Sequence, residues 1–328
     1  MDPMRILITG VTGRIGANLA AALVEQGHEV RGFVWPGDPR VEKLESLSLD
    51  LRTGSLRDAD DIRDAMRGVQ VVYHLGAAFQ GGGPFSDDDY FETNVRGTFN
   101  ALQAAREQDD LRRFVFAGTD ALYDKYVPGG LSKPIREDDA VPRPRGWYAL
   151  SKSMGEDMCV SYHGAYGLPT VVLRFSMVLG AGEILDWPQF RLSGLKGRPE
   201  LAPLWDGEER LVVLRDENGR AHKKHIADVR DIVHGCLCAL EAPDAAGEVM
   251  QLGAPSAFTW DDAVPYLSEK TGVPYIEANV SGTPTFYEYN LSKARRLLGF
   301  APQYDVRRMI DDAIAFRAGE DIGVLPTT

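Results

Sequence analysis

Cysteine is scarce: three in 328 residues, at Cys159, Cys236 and Cys238. An odd set without framework spacing excludes a disulfide scaffold, and all three are expected to be reduced thiols of a cytosolic protein. Long apolar runs are missing. None approaches the ~20 residues that span a bilayer, so no membrane partner is expected. Positive charge is short, with 36 Lys and Arg against 48 Asp and Glu and a formal net charge of -12. That balance argues against nucleic acid and against anionic membrane surfaces as partners. His222 and His225 stand in a basic segment without Cys or acidic neighbours, so no metal site is expected. No internal repeat is found. Met1-Asp2-Pro3-Met4 leads into an apolar run without a cleavage-type signal, and a cytoplasmic location is expected. At 44% hydrophobic and 26% charged, the composition is that of a globular protein. Its length allows one large domain or two lobes.

Arg5-Ile6-Leu7-Ile8-Thr9 is a short apolar run, read as a buried strand. Gly10-Val11-Thr12-Gly13-Arg14-Ile15-Gly16 follows, then a helical pattern from Ala17 that stops at Gly27, then a second strand from His28 to Val34. Strand, glycine turn, helix, strand is the context in which such a turn binds a dinucleotide. The glycines let the backbone approach a pyrophosphate, and the helix N-terminus offers free N–H groups. Gly81-Gly82-Gly83-Pro84, ahead of Asp87-Asp88-Asp89, reads as a solvated linker or a flap over the substrate.

Tyr148 and Lys152 stand four apart in a run without breakers from Tyr148 to Met158. On a helix that spacing puts both on one face. A phenol titrates near pH ~10. A neighbouring ammonium favours the phenolate, so the pair reads as a general base with its activator.

Several further stretches carry a resemblance. Val71-Val72-Tyr73-His74-Leu75-Gly76-Ala77-Ala78, Asn94-Val95-Arg96-Gly97-Thr98 and Phe114 to Tyr123 occur in that order. Leu173-Arg174-Phe175-Ser176, His225 to Asp231 and Leu291 to Phe300 follow. Together with the Gly-x-x-Gly-x-x-Gly turn and the Tyr/Lys pair, the chain resembles the short-chain dehydrogenase/reductase superfamily. More narrowly it resembles the extended branch, the NAD-dependent epimerase/dehydratase family. The resemblance implies an α/β fold, a Rossmann-type doubly wound parallel sheet with a smaller, discontinuous substrate-binding lobe. Residues 1–174 plus 226–254 are expected to form the NAD(P)-binding domain, and 175–225 plus 255–328 the lobe. Leu211 to Leu214 with Asn218-Gly219 predicts a hairpin, and the chain beyond Pro255 small helices.

The resemblance also implies site residues. Gly10, Thr12, Gly13, Arg14, Ile15, Gly16, Ser55, Leu56, Leu75, Gly76, Ala77, Asn94 and Phe175 would hold the cofactor with Tyr148 and Lys152. Tyr148 would take a proton from a substrate hydroxyl, Thr119 would hold the reacting oxygen, and Lys152 would also bind the nicotinamide ribose. Asp120 would serve as an acid or bind a substrate hydroxyl. Phe79, Ser176, Arg191 and Arg220 are the candidates for the substrate. There are departures. Ala121 follows Asp120 where dehydratases carry Glu, so dehydration is disfavoured. Phe175-Ser176-Met177 lacks the amide common in sugar 4-epimerases. Val34-Trp35 stands where an acidic residue would hold the adenine ribose, and Asp38 comes late to replace it. NAD is expected as cofactor on family grounds, with NADP the alternative. The partner is a small molecule, a sugar derivative, and the helices near Asp87–Glu107 and Trp147–Tyr162 imply a homodimer. Three functions fit: a nucleotide-sugar epimerase, a net dehydrogenase or ketoreductase of a sugar, sugar acid or secondary alcohol, and a non-catalytic NAD(P)-binding regulator.

Overall fold

The computed structural model describes residues 2–79, 83–141 and 144–327. Gly81 and Gly82 of the glycine-rich loop lie outside the described residues.

The first half alternates strand and helix: β1 (Arg5–Thr9), α1 (Arg14–Glu25), β2 (Glu29–Val34), β3 (Asp50–Thr53), α2 (Ala59–Met66) and β4 (Val71–His74). A long helix follows in three pieces, α3 (Asp87–Tyr90), a π-helical turn (Phe91–Arg96) and α4 (Gly97–Arg106). Then come β5 (Arg113–Thr119), α5 (Trp147–Tyr166) and β6 (Thr170–Phe175). The second half holds β7 (Met177–Leu179), α6 (Leu192–Leu195), β8 (Leu211–Arg215), β9 (Lys223–Lys224), β10 (Ile226–Asp228), α7 (Val229–Glu241) and β11 (Val249–Leu252). It ends in β12 (Phe258–Thr259), α8 (Trp260–Thr271), β13 (Tyr275–Asn279), α9 (Ser292–Leu298) and α10 (Val306–Arg317). No helix among the described residues is long and apolar enough to cross a membrane.

The main sheet has seven parallel strands in the order β11-β6-β5-β4-β1-β2-β3. This is the doubly wound α/β arrangement. Helices cover both faces, so β5 and β6 are buried along their whole length and are mostly apolar, with Arg113 and Arg174 the buried charges. Chain order reverses between β1 and β4, and the crevice beyond their carboxyl ends is where such sheets bind ligands.

A second core lies apart from the sheet. Trp187, Phe190, Val212, Trp260 and Ile310 bury together there, around β8 and β13. Those two strands pair in parallel, not as a hairpin. The Asn218-Gly219 reversal contributes one bridge, Arg215 with Ala221, before the chain leaves. Gly219 takes φ +78° in that turn, a left-handed conformation that suits glycine. The chain beyond Pro255 also holds two strands, β12 and β13, and not helices alone. It serves both cores: Leu291, Ala294, Leu298 and Phe300 bury with the β1 and β5 side chains, while Val306 and Ile310 bury in the second core. The expected 255–328 lobe is therefore shared, because α9 packs on α7 and β11.

Candidate active site

The glycine turn closes tightly. Gly13 N donates to Gly10 O at 3.0 Å, and α1 starts at the next residue. A Cβ on Gly16 would come within 2.3 Å of Gly10 O, and one on Gly10 within 2.7 Å of Gly76 Cα. A side chain at Gly10 would push the glycine turn off the turn after β4, and one at Gly16 would push α1 off the glycine turn. The absence of both leaves a backbone cradle at a helix N-terminus, which fits a dinucleotide pyrophosphate. Thr9 Oγ1 accepts from Gly76 N at 3.1 Å and bonds His74 Nδ1 at 3.0 Å. His74 Nε2 meets Thr98 Oγ1 at 3.1 Å, so the buried imidazole ties the turn after β4 to α4. Burial pushes that imidazole down to about 3, which keeps it neutral.

Sequence reasoning set Asp38 aside, and the structure brings it back. The Asp38 carboxylate is buried against the glycine turn, accepting from Thr12 Oγ1 at 2.6 Å. Arg40 Nε and Nη2 donate to it at 2.8 and 2.7 Å and hold it down at about 2. A reversal at Trp35–Asp38 delivers the acid four residues beyond the strand. Leu56 packs within reach of Gly76, and Ser55 N is held by Asp61. Arg14 differs from expectation. Its guanidinium donates to Val178 O and Glu183, so it links the glycine turn to the segment after β7 and does not turn toward the cradle.

Tyr148 and Lys152 lie on α5, and Thr119 ends β5 opposite Phe175 of β6. Thr119 favours the ionised form of the Tyr148 phenol. Asn94, in the π-helical turn, accepts from Ala78 N at 2.7 Å and donates to Ala78 O and Ser151 Oγ. Ser151 Oγ donates in turn to Tyr148 O. One amide thus clamps the loop after β4 to the helix turn that carries the tyrosine, a use often made of π-turns at sites. Phe79 stands edge-on to Tyr148 at 5.6 Å between centroids, and Tyr90 at 6.2 Å.

The electrostatics differ from the simple base-and-activator picture. Burial pushes the Tyr148 phenol up to about 12, opposed by Thr119 and reinforced by Asp120 and Tyr90. Lys152 is fully enclosed, its Nζ 4.1 Å from the Phe116 ring centroid, and burial lowers it to about 8. Burial is the largest influence on the phenol, and Lys152 is not among the groups that act on it.

A model of the NAD dependent epimerase/dehydratase family matches residues 6–253. The chain belongs to that family. A solved short-chain dehydrogenase/reductase superfamily protein from Agrobacterium tumefaciens, with bound NAD, matches at TM-score 0.85 and 33% identity, over 96% of this chain and 97% of that one. An uncharacterized UDP-glucose epimerase of Bacillus subtilis is 25% identical over 95% of this chain and 98% of its own length. UDP-glucuronate 4-epimerase 4 of Arabidopsis thaliana is 26% identical, over 92% of this chain and 72% of its length.

Three candidates of this family member are engaged by the protein's own side chains. Asp120 Oδ2 is ion-paired with Lys125 at 2.5 Å and accepts from Tyr289 Oη at 2.6 Å. That is the arrangement of an acceptor, not of a proton donor. Arg191 donates to Leu185 O and Asp186. Arg220 donates to Asp216 and Gly129 O and lies over Phe286. Both arginines are engaged in pairs within the protein. Their acidic partners at Asp186 and Asp216 stand five and four residues away, a local signal that the sequence carried. Ser176 is buried just beyond Phe175, and its Oγ has no partner. Lys125 and Tyr289, which sequence reasoning passed over, close on Asp120, the first from five residues on and the second from far along the chain. Lys224, also passed over, is buried next in sequence to the His225 that stacks on Tyr289.

Proposed function

We propose that the protein is an NAD-dependent enzyme that modifies a sugar, as an epimerase of a nucleotide sugar. The observation that carries this reading is Tyr148, Thr119 and Lys152 gathered beside the crevice beyond β1 and β4. The Gly10–Gly16 cradle and Phe175 would hold the cofactor. Asp38 at the glycine turn, with Arg40 committed to it, supports NAD over a cofactor carrying a 2′-phosphate. Bound there, NAD supplies a hydride acceptor whose cationic ring also favours the phenolate. Thr119 holds the substrate oxygen, Tyr148 takes its proton, and Asn94 keeps both in register through α5. The UDP-sugar relatives support the nucleotide sugar.

A second reading, net oxidation of a smaller sugar or sugar acid, is favoured by the engagement of Arg191 and Arg220 in internal pairs. One assay separates the two. Nucleotide sugars, free sugars and sugar acids are incubated with NAD, and reduced cofactor and products are followed. An isomer without net reduction is the expected result. Stoichiometric reduced NAD with an oxidised product establishes the second reading. NAD binding without turnover of any substrate overturns both in favour of a regulator.

We also propose a homodimer through the long helix and α5, whose Phe91, Phe99, Met154 and Val160 are exposed. Light scattering should give twice 36.1 kDa, and a single-chain mass at all concentrations overturns the pairing.

A further inference from the structure

The Lys224 ammonium is buried, yet its only hydrogen-bond partner among the described residues is Gln189 Oε1 at 2.9 Å. It has three donors, and no carboxylate lies within ion-pair distance of it among those residues. The Trp187 ring lies 4.9 Å from its nitrogen. The neighbouring ammonium is in the opposite condition. Lys125 is satisfied three times over, by the Asp120 carboxylate at 2.5 Å, Asp120 O at 3.1 Å and Tyr289 Oη at 3.2 Å. The Asp120 carboxylate follows Thr119 and accepts from Tyr289 Oη at 2.6 Å, and the Tyr289 ring stacks on His225, the residue after Lys224, at 5.3 Å between centroids. Two buried ammoniums, Lys125 and Lys224, thus stand with one carboxylate, which Lys125 already pairs, in the region beyond Thr119. An uncompensated buried charge is strongly unfavourable unless a counter-charge arrives. A second buried polar atom without a partner, Ser176 Oγ, lies one residue beyond the Phe175 that faces Thr119.

We propose that Lys224 is a specificity-determining residue that receives a carboxylate on the substrate, so that the protein acts on sugar acids in preference to neutral sugars. The single surplus charge matches a monoanion and not a dianionic phosphate. Burial and Lys125 pull the Lys224 ammonium down to about 8, and a bound carboxylate reverses that pull. Gln189 fixes the side chain from one side and leaves its remaining donors to the ligand. Position 224 lies on β9, ahead of the His225 whose ring nitrogens meet Ala254 O and Tyr289 N, so its backbone is held from both ends. This inference rests on the functional reading above.

The test compares kcat/KM for glucuronate, glucose and glucose 6-phosphate, and for UDP-glucuronate and UDP-glucose, with NAD present. The wild type is expected to favour the carboxylate member of each set by about 10- to 100-fold, the worth of a charge-assisted hydrogen bond. Lys224→Gln is expected to erase that preference, mainly through KM for the acid, with thermal unfolding checking that the variant folds. Equal use of the neutral sugars by the wild type overturns the inference and leaves the functional reading standing. So does a preference for the phosphate, or an acid preference that survives in Lys224→Gln. Turnover of none of the five compounds, with Tyr148→Phe indistinguishable from wild type, overturns the functional reading and this inference with it.

Discussion

Tyr148→Phe lowers kcat by about 10²- to 10⁴-fold, the usual worth of a positioned acid–base group, and leaves NAD affinity unchanged. The substitution removes one oxygen and keeps the ring. Its edge contacts with Phe79 and Tyr90 survive, and so does the Ser151 bond to the backbone of residue 148. What disappears is the phenol oxygen that Thr119 acts on and that is proposed to take the substrate proton. Because the phenol is raised to about 12 by its enclosure, deprotonation needs positive charge nearby, and the rate should depend on the cofactor being bound first. Single-turnover kinetics with preloaded NAD, set beside calorimetric NAD binding, makes the comparison. A variant that keeps the wild-type rate would show that another group moves the proton.

Arg174→Met destabilises the fold by about 3–5 kcal/mol, the loss seen when one member of a buried ion pair is removed. Arg174 rises from β6 and meets the Glu156 carboxylate on α5 with two hydrogen bonds, at 2.9 and 2.5 Å. Both side chains are over nine-tenths buried. The guanidinium also donates to Tyr123 Oη and Glu137 O. Methionine fills much of the volume but leaves a carboxylate in an apolar setting with no donor. Glu156 sits one turn beyond Lys152, so the damage reaches the helix that carries the base. Urea unfolding measures the loss. Adding Glu156→Gln removes the stranded charge and should restore part of it, since the two sites are coupled. Additive losses would mean that the pair is not the unit of stability here.

The glycine turn, the Tyr/Lys pair and the parallel strands were legible because each is a local pattern: a turn that needs no Cβ, a four-residue helical spacing, a mostly apolar run. Thr119 and Asn94 were legible only through the family resemblance. Asp38 was not, because its partner Thr12 lies 26 residues away and a tight reversal shortens the path between them. Lys125 and Lys224 were hidden for the same reason: a lone basic residue and a distant one in the pair Lys223-Lys224 look like solvated charge until the fold encloses both. Arg191 and Arg220 erred in the other direction. Each was weighed as a grip on a ligand without first pairing it with the acid on its own turn.

The π-helical turn from Phe91 to Arg96 sets the phase of everything on that long helix. One residue advances an α-helix by about 100°. Tyr90 before the turn faces Tyr148, and Thr98 after it reaches back to His74. In an uninterrupted α-helix these two positions, eight apart, would stand about 80° apart around the axis, and the added residue brings them closer to one line. Gain or loss of a single residue between Tyr90 and Gly97 would therefore turn Asn94 off the Ala78 loop while keeping every amino acid type in place. Among sequences of this kind, the length of that short stretch says as much about a working site as the identity of its residues.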